Sequence, residues 1–328
     1  MKDVGLVGMP GAGKSTLFTA LTKAGSAGGR ENQAVVPVPD PRLGVLAEME
    51  KSGKVVHAQV RFMDVPGATS ARGLATLREA EALAVVVRAF GGAADPAGEL
   101  ASVTAELLLG DMAVVESALE GARRRTRTRS KEAEAEVAAL ERAQAALSGE
   151  TLLRDAGLSA EEHAVLRGLA PLTSKPWVVV ANMEEGVSDV PPGLPEDIVL
   201  VWAGIEAETA GMEDDEARAL LEEFGVPEPG LDRVVAASYR VLDLITFLTT
   251  GEDETRAWEV RQGAHAPEAA GVIHSDLQRG FIRAEVVGYD DLVAVGGWDA
   301  AKHKGLLRVE GKDYVVREGD VLHIRFAV

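Results

Sequence analysis

The sequence predicts an α/β fold. It is a doubly wound parallel sheet with an antiparallel helical hairpin inserted into it and a small mixed α+β domain after it. Three observations carry this. A glycine-rich loop joins a strand to a helix near the start, and short apolar runs then alternate with helical stretches. Two changes of texture, after Phe90 and near Thr255, interrupt that alternation.

Val4-Gly5-Leu6-Val7 is the first strand. The loop after it reads Gly8-Met9-Pro10-Gly11-Ala12-Gly13-Lys14-Ser15-Thr16. Gly8, Gly13, Lys14 and Ser15 complete G-x-x-x-x-G-K-[ST], the P-loop pattern, and Leu17 to Lys23 continues as a helix. Such a loop turns backbone N–H groups and a helix N-terminus towards phosphate oxygens. Lys14 is expected to reach the β/γ phosphates and the Ser15 hydroxyl to ligate Mg²⁺, with Pro10, Gly11, Ala12 and Thr16 completing the cradle. The competing reading is a glycine-rich turn that binds nothing.

A loop of small residues follows from Ser26, then Val35 to Leu43, and a helix is expected over Leu43–Lys51. His57–Met63 reads as a strand with Val60 and Phe62 on one face. It ends in Asp64-Val65-Pro66-Gly67, a D-x-x-G. Alone this is a common turn. One strand after a complete P-loop, it assigns Asp64 to Mg²⁺ through water and the Gly67 amide to the terminal phosphate. Leu74–Ala82 is expected to be helical. Ala84–Phe90, a continuous apolar run, reads as a buried parallel strand. Trp177–Ala181 and Ile198–Trp202 bring the strands to five.

Between Phe90 and Pro176, Leu108, Met112, Val115, Leu119 and Ala122 form one heptad seam. Ala133, Val137, Leu140, Gln144 and Leu147 form another. Six basic residues lie between them, from Arg123 to Lys131. They are either a solvated helix end or a contact for RNA phosphates or an acidic partner. Asp214–Phe224 and Leu231–Leu248 read as helices. Beyond Thr255, Trp258–Val260, Ile282–Val287, Asp313–Val316 and Leu322–Phe326 are β-like, with helical pieces at Asp276–Gly280 and Tyr289–Leu292.

The chain has 328 residues, 46% hydrophobic and 26% charged, with a formal net charge of -18. That charge argues against broad binding to nucleic acid or anionic membrane. The absence of cysteine excludes disulfides, thiolate metal sites and thiol redox control. No apolar run reaches membrane-spanning length and no signal-peptide pattern opens the chain, so a cytoplasmic protein without a membrane partner is expected. None of the six histidines shows metal-ligand spacing.

At Val35–Leu43 (VVPVPDPRL), Leu77–Ala82 (LREAEA) and Phe281 onwards the chain resembles the YchF/Obg-like ATPase family. Arg256-Ala257-Trp258, Ile273-His274-Ser275-Asp276, Gly280–Glu285 and Glu310–Tyr314 look like that family's C-terminal TGS module, a β-grasp fold. The resemblance implies three parts: a nucleotide-binding domain at 1–97 and 171–242, a helical insertion at 98–170, and a TGS domain at 243–328. Where ordinary GTPases read guanine with N-K-x-D, this chain has Asn182-Met183-Glu184-Glu185. Met183 offers apolar contact to a base, and Glu185 is one methylene too long for the guanine edge. Ala203-Gly204-Ile205 resembles the family's last base-contacting loop. The resemblance implies ATP as first choice, with GTP as runner-up.

The same comparison exposes departures. The loop after the P-loop helix is short and has no threonine, residues 68–73 are a trimmed switch II, and Gly91–Ala97 lacks the family's histidine; position 68 carries no water-orienting glutamine, an absence usual in that family. Arg72 is either a transition-state cation or a surface arginine. The expectation is a slow Mg²⁺-dependent nucleotide hydrolase acting as a switch associated with the ribosome or translation. The alternative is a weakly catalytic nucleotide-binding scaffold that docks on an RNA–protein assembly through its TGS domain and helical arm. A small-molecule kinase fits less well, since no acceptor site or lid pattern is present. The family link implies the ribosome as partner.

Overall fold

The structure is a computed structural model that describes all residues except 25, 28–31, 126–130, 210, 227–228 and 328. In chain order it begins β1 (Lys2–Val7), α1 (Lys14–Ala24), β2 (Ser26–Ala27), β3 (Gln33–Pro37), α2 (Arg42–Glu50), β4 (Val55–Val56) and β5 (Gln59–Asp64). Next come α3 (Ala71–Leu77), β6 (Ala82–Ala89), α4 (Pro96–Arg125), α5 (Lys131–Ser148) and α6 (Ala160–Leu166). Then β7 (Trp177–Met183), β8 (Val199–Val201), α7 (Ala203–Thr209), α8 (Asp214–Glu223) and α9 (Gly230–Val241) follow. The last elements are β9 (Leu244–Thr249), β10 (Thr255–Arg261), α10 (Ala266–Ile273), α11 (Ser275–Arg279), β11 (Phe281–Gly288), α12 (Tyr289–Val295), α13 (Trp298–His303), β12 (Arg308–Glu310) and β13 (Asp320–Phe326).

Contacts divide the chain into two compact units. One comprises residues 2–36 and 61–238. Its sheet has seven strands in the order β2-β3-β5-β1-β6-β7-β8, with β1, β6, β7 and β8 parallel and β2 antiparallel to β3. Leu83 to Val87 are fully buried, as a strand covered on both faces requires. The parallel strands end together, which brings the P-loop and the segments after β6, β7 and β8 to one edge of the sheet. α4 packs along β6 and pairs with α5. Their seam buries Leu108, Val115, Leu119 and Ala122 against Leu140, Ala143 and Leu147, which is the hairpin the heptads predict.

The other unit comprises Met1 and residues 37–60 and 239–328. Its six-stranded sheet runs β12-β11-β13-β9-β10-β4, with β13 parallel to β9 and the β9–β10 and β11–β13 pairs antiparallel. α10 closes one face through Ala266, Ala269 and Ala270 over Phe247, Ala284, Val286 and Leu322. A helix held against a mixed sheet with this central parallel pair is a β-grasp arrangement.

Residues 37–60 depart from the partition expected from sequence, which assigned them to the nucleotide-binding domain. β4 pairs with β10, and Gly53 N donates to Glu252 O at 2.8 Å. Arg42 Nη2 lies 2.7 Å from Asp40 Oδ2 and 2.6 Å from Glu318 Oε1. These bonds tie the segment to residues from the C-terminal third.

Three element readings are corrected. The helix read at Leu74–Ala82 ends at Leu77, because Ala82 already opens β6. The helix read over Leu231–Leu248 stops at Val241. Asp243 adopts φ 56, and Leu-Ile-Thr-Phe-Leu-Thr continues as β9, where its β-branched and aromatic residues pack as a strand. Asp313–Val316 contributes a single bridge from Val315 to His265, while the strand lies at Arg308–Glu310. The sequence reading also left β3 unassigned. Pro37 and the following Pro39 conceal a strand that lies between β2 and β5 and buries its alternate residues Ala34 and Val36.

Candidate nucleotide-binding site

The P-loop lies wholly in the first unit. Gly11 and Gly13 both adopt φ 87, a left-handed conformation that glycine takes freely. Gly13 is also crowded: a Cβ there would stand 2.0 Å from Asn182 Nδ2. At Gly8 a Cβ would stand 2.3 Å from Val86 O, because β1 and β6 pack closely under the loop. Lys14 Nζ donates to the carbonyls of Gly8 at 2.9 Å and Met9 at 3.0 Å, curling over the loop it belongs to. Burial lowers its pKa, while the charges of Asp64 and Glu99 oppose that shift. The ammonium therefore sits in a partly dehydrated place with two carboxylates nearby.

β5 delivers Asp64 to the loop. Ser15 Oγ donates to Asp64 Oδ2 at 3.3 Å, and Asp64 N donates to Asn32 O at 3.1 Å. Gly67 adopts φ 60, Ser70 N donates to Gly67 O at 2.7 Å, and Ser70 Oγ caps α3 by accepting from Gly73 N. The trimmed segment is thus a tight turn running directly into a helix. Arg72 is exposed and lines a cleft of about 520 Å³ with Asp64, Asn32 and Thr76.

A second cleft, of about 570 Å³, opens beside Gly13 and Thr16 and is lined by Phe90, Met183, Glu185 and Gly204. Its volume suits a nucleoside. Asn182, 6% exposed, spends its amide on the scaffold: Nδ2 donates to Ala12 O at 3.2 Å and Oδ1 accepts from Ala203 N at 3.1 Å. It locks the P-loop to the start of α7. The Ala203 amide is consequently already bonded. Ala203 and Ile205 are buried in the core, which leaves Gly204 as the residue of that loop lining the cleft. Met183 is 4% exposed and forms part of the cleft's apolar floor. Glu185 Oε1 reaches within 3.3 Å of where a Cβ on Gly204 would be.

Several contributors to the site carry no motif in the sequence. Phe90 and Gly91 line the second cleft, and Gly91 N donates to Glu184 Oε2 at 3.3 Å. Phe90 carried one signal, an aromatic residue just beyond the end of a buried strand. Glu206, 2% exposed, accepts from Trp202 N at 2.9 Å and Leu231 N at 2.8 Å, and so fixes the segment around Gly204. Burial raises its pKa. Among the basic residues from Arg123 to Lys131, 126–130 lie outside the described residues. Arg123 pairs with Glu141, Arg124 with Glu120 and Arg125 with Glu136, all within the hairpin. Among the described residues no group of three or more His, Cys, Asp or Glu is arranged to hold a metal, and no helix is long and apolar enough to cross a membrane.

Two family profiles match the chain. One, described as a 50S ribosome-binding GTPase, matches residues 3–117. The other, for the C-terminal domain of YchF GTPases and described as a protein of unknown function, matches residues 244–327. A Haemophilus ducreyi protein named ribosome-binding ATPase YchF is 40% identical over 358 residues, covering 99% of each chain. This chain belongs to the YchF family. The YchF of Bacillus subtilis, also named a ribosome-binding ATPase, is 38% identical over 361 residues, again covering 99% of each. The solved Schizosaccharomyces pombe YchF GTPase matches with a TM-score of 0.89 at 30% identity, covering 99% of this chain and 97% of that one. Both bacterial alignments exceed the 328 residues of this chain, so those YchF relatives carry residues that it lacks.

Proposed function

We propose that this YchF-family protein is a Mg²⁺-dependent purine-nucleotide hydrolase that prefers ATP, turns over slowly and works in association with the ribosome. The observation that carries the reading is the pairing of Ser15 with Asp64 beside an intact P-loop. Two hard oxygen donors on one side of a phosphate cradle suit Mg²⁺, which keeps waters and takes its other ligands from phosphates. Ser15 and, through water, Asp64 would hold the ion, which would supply positive charge to the bound phosphates. Lys14 supplies a second positive charge, and freeing it from Gly8 O and Met9 O lets it reach the phosphates. The Gly67 amide meets the terminal phosphate.

The base lies in the cleft between Phe90 and Gly204, over Met183. N-x-x-E in place of N-K-x-D supports adenine, since Glu185 leans over Gly204 and lacks the reach geometry of the shorter aspartate. No glutamine follows the D-x-x-G, and Gly91–Ala97 has no histidine, so water is poorly positioned and hydrolysis is slow. The names of the bacterial relatives and the 50S ribosome-binding profile support a ribosomal partner. Its docking element is the C-terminal TGS domain. The pairing of Arg123, Arg124 and Arg125 within the hairpin weakens these three as phosphate contacts. The missing water-positioning groups equally favour a weakly catalytic scaffold. Competitive displacement of a fluorescent nucleotide separates the bases. ATP should displace it at lower concentration than GTP, and tight GTP binding with weak ATP binding would reverse the assignment.

A further inference from the structure

The shortened switch segment has a mechanical consequence. α3 is held at both ends. At its start, Gly73 presses on the D-x-x-G turn so closely that a Cβ would stand 2.1 Å from Gly67 O, and Ser70 bonds to both. No slack separates Gly67 from the helix. At its end, Arg78 spreads its guanidinium over the helical insertion. Nη1 donates to Asp111 Oδ1 at 2.6 Å and to Ala170 O at 3.1 Å, and Nη2 donates to Gly110 O at 3.0 Å.

Asp111 sits on α4 and is fully buried. Besides Arg78 it accepts from Leu172 N at 3.0 Å, and from Thr173 N and Oγ1 at 2.7 Å each. A buried carboxylate with four donors holds its geometry firmly. Between these ends, Leu74 packs on α4 at Gly110, where a Cβ would stand 2.7 Å from Leu74 Cδ1. The turn, α3 and α4 are therefore joined over about 10 Å of helix, with no loop between them to take up a movement. In a protein with a long, pliant switch such a movement would be absorbed by the loop.

We propose that Arg78 and Asp111 are positioning residues for the Asp64–Gly67 turn. By fixing the far end of α3 to the insertion they make the turn discriminate triphosphate from diphosphate, and they carry that difference into α4 and α5. This rests on the reading above in which the Gly67 amide meets the terminal phosphate. Linkage makes the coupling reciprocal: a partner that shifts the helical pair changes the preference for triphosphate.

The test uses the full chain with Arg78→Met, which keeps an unbranched stem and removes the fork. Calorimetry compares ADP with a non-hydrolysable ATP analogue, both with Mg²⁺. Wild type should prefer the analogue. In the variant, ADP affinity should stay within about twofold while the preference falls by about tenfold. An unchanged preference overturns the proposal, as does equal weakening of both ligands, which is what a merely structural role produces. Wild type that binds both ligands alike overturns the phosphate-sensing reading, and the lever with it.

A second measurement does not depend on that variant folding. The chain has no cysteine, so spin labels at Ala145→Cys on α5 and Glu216→Cys on α8, both exposed, are unique. Their distance distribution should differ between ADP and the analogue. Identical distributions overturn the proposal.

Discussion

Gly13 has neither the conformation nor the room for a side chain. Gly13→Ala forces a methyl into the Asn182 amide at φ 87, so it should break the Asn182–Ala12 bond and cost about 1–3 kcal/mol of stability. A urea melt reads that loss, and nucleotide titration should show binding abolished. Glu206 makes a different prediction. Its folded pKa is raised by burial, so its contribution to stability is greatest below the unfolded value of about 4.3 and fades as pH rises through the higher folded value. Glu206→Gln removes that fading but leaves an amide N–H facing a backbone donor. It should cost about 1–3 kcal/mol at low pH, with the deficit narrowing towards neutral pH in melts across that range. At this scale the phosphate site was readable because its chemistry is local in sequence. Gly8 to Ser15 is one continuous segment. The engagement of the Ala203 amide by Asn182, and the place of Phe90, follow from the spacing of parallel strands, and no local pattern encodes them.

Among the elements, α2 and β4 show most clearly what sequence conceals. The helix expected over Leu43–Lys51 is present and β4 is not among the expected strands, and the partners of this segment lie about two hundred or more residues away at Glu252, Thr255 and Glu318. Arg42 is the joint. Hydrogen bonds and charge from Asp40, with Glu318, raise its already high pKa, so it stays charged throughout the accessible range. Arg42→Ala should destabilise this unit by about 1.5–3 kcal/mol, measured by denaturant melting, while leaving ADP affinity close to wild type. β9 departs from the helix expected over Leu231–Leu248 for a related reason. Leu231 to Leu248 keeps an apolar periodicity that a helix can satisfy, and only the left-handed Asp243 separates α9 from the strand. Both heptad seams, by contrast, were legible, because a helical hairpin buries its own neighbours.

At the scale of the whole molecule, an acidic chain of net charge -18 is proposed to meet a ribosome, itself dominated by phosphate. Contact must then be local. Arg123, Arg124 and Arg125 are engaged by glutamates of their own hairpin. Replacing all three by alanine should leave cosedimentation with ribosomes within about twofold, because the contact is placed on the C-terminal domain. Loss of binding would move the contact from the C-terminal domain to the hairpin tip. The most direct test of the account is calorimetry of ATP with and without Mg²⁺, using Lys14→Ala as control. The account predicts Mg²⁺-dependent binding that Lys14→Ala abolishes while the free protein still unfolds in one cooperative transition. Binding that ignores both Mg²⁺ and Lys14 would contradict it.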